Sequence, residues 1–243
     1  MIIEESVESM NERYGMPAEY RPNRKAVTIE SEEGDYWTSE RIGRSAVFQY
    51  HVYQLARRWI KNRSTRLLDV GSGPGVKLAE LLAPYVAEIV CADQPSVERV
   101  LLKTLPQAKF VPMNLEEPRV HFEKPFDVVM CVDVLEHLHD PDPCIELIYE
   151  ALSPSGVAII STPERKALRG RDCFHCPKAE HVREWRKAEF ANYLKSRGFT
   201  ILQHLCMPGE RVSNWKADLS MVTSRVLSLP GWHACQAVVC RAS

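Results

Sequence analysis

Apolar residues in this chain follow two rhythms, and the change from one to the other predicts the architecture. Over residues 41–62, Phe48, Val52, Leu55 and Trp59 recur at spacings of four, three and four, which places them on one face of a helix. Ser39 or Thr38 is suited to cap its start. Downstream come short, nearly unbroken apolar runs: RLLDV (66–70), EIVCAD (88–93), KFVPM (109–113), FDVVMCVD (126–133) and VAIIST (157–162). Helical stretches at 76–82, 96–105 and 141–152 separate most of them, and Pro154-Ser155-Gly156 ends the last. Strands without polar alternation are buried on both faces, so these five predict a parallel sheet covered on both sides, the doubly wound α/β class. Residues 187–197 read as a further helix stopped by Gly198, and FTILQHLC (199–206) and ACQAVVC (234–240) as two more strands. Residues 207–233 read as a helix with loops, and 163–186 as a long charged loop. Residues 1–40 are polar and acidic, and are expected to be a loosely ordered arm or short helix. One domain then spans 41–243: a helix over 41–62, a core over 64–162, and a loop with the C-terminal strands over 163–243.

Composition narrows the class without naming it. The 243 residues are 45% hydrophobic and 26% charged, ordinary for a globular chain with a sizeable core. A net charge of −1 gives no general attraction to nucleic acid or anionic membrane. No run reaches the roughly 18 apolar residues of a membrane span, and the acidic N-terminus lacks the features of an export signal, so a cytoplasmic protein is expected. Of eight cysteines, several sit inside apolar runs, where they read as small buried hydrophobes rather than as a disulfide framework.

The chemistry begins at LLDVGSGPG (67–75). Gly71, Gly73 and Gly75 follow a strand and open a helix, so a ligand can approach the backbone closely and an anionic group meets unpaired N–H groups. A dinucleotide fingerprint needs its third glycine at position 76, which is Val76, and no phosphate-loop Gly-Lys-Ser/Thr is present. Asp93 ends the second strand, 22 residues after Gly71, and can hold both hydroxyls of a ribose. The pattern fits a nucleoside bearing something small and charged, with no required pyrophosphate.

Four motifs in order carry a resemblance: DVGSGPG (69–75), Asp93, PMNLEE (112–117) and CVDVLEHL (131–138). Over about residues 64–206 the chain resembles the class I S-adenosylmethionine-dependent methyltransferases, in their small-molecule branch. The resemblance implies a seven-stranded, mostly parallel Rossmann-like sheet with an N-terminal helical lid and an antiparallel C-terminal strand. It implies that Asp69, Gly71, Ser72, Gly73 and Gly75 hold the methionine part of S-adenosylmethionine, and that Asp93 and Gln94 take the ribose. Met113, Asn114 and Leu115 would frame the adenine, and Asp133 and Val134 would floor the sulfonium. Tyr36 and Trp37 would close over the cofactor, although aromatic residues here also read as core, as Tyr50 does.

Methyl transfer needs the acceptor held in line about 3–3.5 Å from the reacting carbon, and a hydroxyl acceptor also gains from a base. The candidates are His137, just past the fourth strand, and His181 and His175 in the 163–186 loop. Arg165, Lys166, Arg169 and Arg171 in that loop suggest either a solvated face or a site for a phosphate-bearing acceptor. Cys173, His175, Cys176 and His181 have zinc-ligand chemistry but lack a second, distant ligand pair, so no metal is expected. The HVREW segment (181–185) resembles a subgroup linked to sugar and polysaccharide biosynthesis, which implies O-methylation of a sugar or glycan intermediate. N- or C-methylation of a secondary metabolite, or a non-catalytic partner subunit of the same fold, are the alternatives. A nucleic-acid acceptor is disfavoured, because CVDVLEHL stands where an NPPY-type loop would be.

Overall fold

The computed structural model describes residues 6–26 and 37–243. Seven strands form one sheet in the order β3-β2-β1-β4-β5-β7-β6. They are β1 (Arg66–Val70), β2 (Glu88–Asp93), β3 (Lys109–Pro112), β4 (Phe126–Val132), β5 (Leu152–Pro163), β6 (Phe199–Met207) and β7 (Cys235–Ala242). The first five pair in parallel, and β7 runs antiparallel between β5 and β6. The unbroken apolar runs have a direct cause. In β4, Val129 and Cys131 join one core cluster while Val128, Met130 and Val132 join another on the opposite face, so both faces exclude water.

Helices α3 (Tyr50–Arg57), α4 (Val76–Leu81) and α5 (Glu98–Thr104) supply Leu55, Leu78 and Leu101 to one cluster. Helices α6 (Asp142–Ala151) and α8 (Lys187–Ser196) supply Ile148 and Phe190 to the other. Helix α9 (Asn214–Thr223) lies between β6 and β7. No helix among the described residues is long and apolar enough to cross a membrane, and all eight cysteines are unpaired.

Three sequence expectations change. The helix expected over 41–62 is two, α2 (Ser39–Ser45) and α3. Thr38 caps the first, its Oγ1 accepting the Arg41 N–H at 3.3 Å. The break is at Gln49, which adopts a left-handed φ of 52° and donates its backbone N–H to Gly209 C=O at 2.8 Å. The segment following β6 therefore claims the donor that would have continued the helix.

In the N-terminal arm the short helix that was one of the two expectations is present as α1 (Val7–Arg13), and what changes is the packing: it leads into Tyr14, Met16 and Tyr20, all buried in the core. The Asn11 amide donates to Tyr20 C=O at 2.8 Å, and Trp185 Nε1 donates to Tyr14 C=O at 2.9 Å.

The third change concerns the charged 163–186 loop, which contains a short helix, α7 (Arg165–Arg169), and turns its charges inward. Arg165, Arg183 and Glu184 are fully buried. Arg165 donates to Glu184 C=O at 2.6 Å and pairs with Glu189 at 2.8 Å. Arg169 makes two bonds to the Glu184 carboxylate, at 2.8 and 3.0 Å. Of the four loop cations read as either a solvated face or a phosphate site, Arg165 is buried and Arg169 is half-buried against Glu184, while Lys166 and Arg171 are exposed. A buried charge persists only with such partners.

Candidate functional site

The C-terminal ends of β1, β2, β3 and β4 open onto a cleft of about 280 Å³, at the reversal of strand order between β1 and β4 where open α/β sheets hold ligands. The glycine loop forms one wall. Gly71 adopts φ +73°, and a Cβ there would sit 2.3 Å from Val134 Cγ2. Gly73 adopts φ +53°, and its Cβ would meet the Trp37 ring at 3.1 Å. A side chain would strike the opposite wall at Gly71, and at Gly73 it would crowd the Trp37 ring from a left-handed backbone. Gly75 does not line the cleft. At φ +68° it starts α4, and a Cβ would strike Leu101 at 2.6 Å, so its absence of side chain serves helix packing.

Asp93 lines the cleft with both oxygens oriented by backbone. Oδ2 accepts the Gly73 N–H at 2.8 Å and Oδ1 the Gln94 N–H at 2.7 Å. Burial outweighs these bonds and raises its pKa to about 6. Each oxygen keeps a second lone pair for a ligand hydroxyl. Gln94, Met113, Asn114, Leu115 and Ser72 complete that side of the lining.

Asp69 lies beneath the loop, fully buried, rather than on the lining. Its Oδ2 accepts from Tyr53 Oη at 3.2 Å, and burial lifts its pKa to about 7. Asp133 and Val134 form part of the floor. Asp133 holds φ +55°, a strained conformation for a residue with a side chain. Its Oδ1 accepts from Ser161 Oγ at 3.1 Å, and its Oδ2 accepts the Gln49 side-chain amide. Trp37 lines the cleft, while Tyr36 falls outside the described residues. Tyr50 is buried.

The three histidines separate. His137 lines the cleft. Its Nδ1 is 2.8 Å from Glu180 C=O, which can only accept, so Nδ1 carries the proton and Nε2 keeps its lone pair. Burial first, then His181 and Lys178, hold its pKa down near 3, so the ring is neutral near pH 7. His181 is buried behind it, the two rings edge to face at 4.6 Å. Both His181 nitrogens are engaged: Nε2 accepts from Lys178 Nζ at 2.9 Å, and Nδ1 donates to Glu184 Oε1 at 2.9 Å. His181 is thus absent from the cleft wall and ties its loop to Glu184. His175 is exposed, bridged to Arg21, with Cys173 Sγ 3.9 Å from its Nδ1.

Among the described residues, two donor groups could hold a metal ion. Glu136, His137 and His181 place one ligand atom each within 4.8 Å of the others, as do Cys176, His181 and Glu184. Glu136 is fully buried. Its Oε2 accepts from Thr162 Oγ1 at 3.0 Å, while Oε1 has no partner from another residue among those described. The Cys173–Cys176 pairing read from the sequence is not among these groups, since Cys173 belongs to neither.

Sequence reasoning missed Gln49 and Lys77, both of which line the cleft. Lys77 was legible in principle, two residues past the last glycine of the loop. Gln49 carried no local signal, because its position depends on the contact with Gly209.

Comparison with known proteins agrees with this geometry. Residues 44–204 match the profile of a family described as a methyltransferase domain. A ubiquinone biosynthesis O-methyltransferase from Pseudomonas putida (strain GB-1) is 25% identical over 189 residues, covering 74% of this chain and 76% of its own. Among solved structures, an S-adenosylmethionine-dependent methyltransferase from Clostridium acetobutylicum superposes with a TM-score of 0.58 at 12% identity, covering 80% of this chain and 90% of that one. A chain from the complex of the Haloferax volcanii Trm112 methyltransferase activator with a methyltransferase superposes with a TM-score of 0.60 at 14% identity, covering 79% and 89%. At such identities the structural likeness concerns the fold.

Proposed function

Because this chain belongs to the methyltransferase-domain family and is an S-adenosylmethionine-dependent methyltransferase, we propose that it methylates a hydroxyl oxygen of a small molecule. The observation that carries the oxygen acceptor is His137, a neutral imidazole on the cleft wall whose Nε2 is left able to take a proton. The name of the P. putida relative points the same way.

The cleft fits the cofactor. Gly71 and Gly73 leave a backbone cradle that a Cβ would fill, and the Asp93 carboxylate is preset by two N–H groups. Asp93 and Gln94 would take the ribose, and Met113, Asn114 and Leu115 the adenine. Gly71 to Gly73 with Asp69 beneath them would take the methionine part, and Asp133 and Val134 would floor the sulfonium. When bound, S-adenosylmethionine supplies an electrophilic methyl carbon on a good leaving group. The protein's own work is to hold the acceptor in line and to accept its proton at His137 Nε2. A hydroxyl becomes strongly acidic as its oxygen attacks, so even a base with a lowered pKa suffices. His181, Lys178 and Glu184 support the ring from behind.

A second reading gives His137 a different duty. The unpartnered Glu136 Oε1 favours a divalent cation held by Glu136 and His137, with His181 joining only if its Nε2 exchanges the Lys178 ammonium for the ion, and polarising the acceptor oxygen instead. The inward pairing of Arg165 and Arg169 weakens the case for a phosphate-bearing acceptor. Eight unpaired cysteines suit a reducing compartment, the cytoplasm.

The test is a product assay. Incubation with S-adenosylmethionine and a panel of phenols, sugars and sugar nucleotides is expected to release S-adenosylhomocysteine with at least one hydroxyl compound. Mass spectrometry and NMR are expected to place the new methyl on oxygen. Turnover only with amines, or methyl on carbon, would overturn the oxygen reading.

A further inference from the structure

Six of the eleven large apolar side chains exposed among the described residues lie in one stretch, 215–229. Trp215, Leu219 and Val222 belong to α9, and Val226 to a helical turn that extends it, in which the Leu227 N–H donates to Thr223 C=O at 2.9 Å. The four recur at spacings of four, three and four, so they form one stripe along the helix. Their exposures are 65%, 48%, 61% and 82%. Ala217, Ser220 and Met221 on the opposite face are buried, Met221 in a core cluster. Single apolar residues on a surface are ordinary, but a contiguous patch of several hundred Å² marks a place of association. None of the stripe residues lines the cleft.

The order of the stripe says which partner. Trp215 and Val226 stand equally far from the midpoint between Ser220 and Met221, and so do Leu219 and Val222. Two copies of α9 laid antiparallel about a two-fold axis there would set Trp215 opposite Val226 and Leu219 opposite Val222. That symmetry brings the same flank of each helix together. One flank carries Asp218 and Arg225, two helical turns apart, so Asp218 of each copy would meet Arg225 of the other. Within one chain Asp218 pairs with Arg58 at 2.9 Å, both side chains more than half exposed, a contact weak enough to be shared. Beside the same flank lies a cavity of about 310 Å³, lined by Gln203, Leu205 and Met221 as well as Val222 and Arg225, which leaves room for a side chain from across the axis. The six exposed side chains offer roughly 600 Å² per copy, so two copies together reach the roughly 1,200 Å² at which stable interfaces begin. A membrane surface fits less well, since an interfacial helix carries a polar face rich in Lys and Arg, and here Asp218 is interspersed with Lys216 and Arg225.

We propose that α9 and the turn after it form the contact between two copies of this chain, packed antiparallel through Trp215, Leu219, Val222 and Val226.

The full chain and its variants would be followed by sedimentation velocity across the micromolar range. The unaltered chain is expected to be a dimer. Val222→Glu places two carboxylates close to the axis and is expected to raise the dimer dissociation constant about a hundredfold or more. Its far-UV circular dichroism is expected to stay unchanged, because Val222 is exposed in a single copy. Asp218→Arg and Arg225→Asp are each expected to weaken the dimer about tenfold, two like-charge contacts replacing two attractions. The double exchange is expected to regain most of that loss, which neither misfolding nor an unrelated surface would produce. A monomer at every concentration overturns the proposal; if that monomer floats with phosphatidylcholine–phosphatidylglycerol vesicles and Val222→Glu does not, the stripe belongs to a membrane instead. A dimer indifferent to Val222→Glu also overturns it, by placing the contact on another face. A double exchange that restores nothing overturns the antiparallel register.

Discussion

Replacement of Asp93 by alanine is expected to weaken S-adenosylhomocysteine binding by about a hundredfold or more, since two hydroxyl bonds to a charged acceptor are lost together. Titration calorimetry reads this directly. The same carboxylate predicts a pH dependence, with a sign set by its environment. In the free protein burial raises Asp93 to about 6, beyond what the Gly73 and Gln94 N–H groups lower. Ribose hydroxyls donate to the ionised form and favour it, so binding is accompanied by loss of a proton from the fraction still protonated. Affinity is expected to climb as pH rises toward 6, to level off above it, and to fall about tenfold per unit well below it. Asp93→Asn keeps the shape and loses the charge, so its affinity is expected to be weak without a limb at this pH. Wild-type affinity in Asp93→Ala would remove the ribose role.

The second large effect is at His137. With a hydroxyl acceptor found in the product assay, His137→Ala is expected to lower kcat about 10²–10⁴-fold. The KM for S-adenosylmethionine should stay close to its original value. The pH profile should also be unusual. Burial, His181 and Lys178 hold the imidazole near 3, so it remains neutral where an ordinary histidine would already be protonated. With both substrates saturating, kcat is therefore expected to show no acid limb between about pH 5 and 7, where an unperturbed histidine near 6.5 would produce one. Undiminished kcat in His137→Ala would end the base assignment. Activity abolished by a chelator and restored by a divalent cation would transfer the residue to the metal reading, in which Glu136 shares its duty.

The parts of this molecule that could be read from the chain alone are those whose environment is local or doubly buried. FDVVMCVD has to lie between two apolar layers whatever else surrounds it, and the structure places alternate residues of β4 in the two clusters. The glycine loop was equally legible, because a positive φ at Gly71 and Gly73 and the need for close approach are written in residue type. The failures share a different cause. Gln49 breaks the predicted helix because a backbone carbonyl from Gly209, 160 residues on, takes its N–H. Tyr14 and Tyr20 looked like members of a polar arm, yet they pack beneath the 181–197 segment. Arg165, Arg183 and Glu184 looked like a solvated loop by composition, but pairing brings them inside. His137 and His181 were indistinguishable by type. Only the partners of each ring nitrogen separate a side chain with a free Nε2 from one with none. Long-range pairing of this kind leaves no periodic trace in a sequence.

The most direct test of the central claim is a crystal structure of the protein with S-adenosylhomocysteine. The adenine is expected against Met113, Asn114 and Leu115, the ribose hydroxyls on Asp93, and the sulfur above Asp133 and Val134 beside Gly71. Density for the ligand anywhere else, or a cleft closed by the protein's own side chains at saturating ligand, would contradict it.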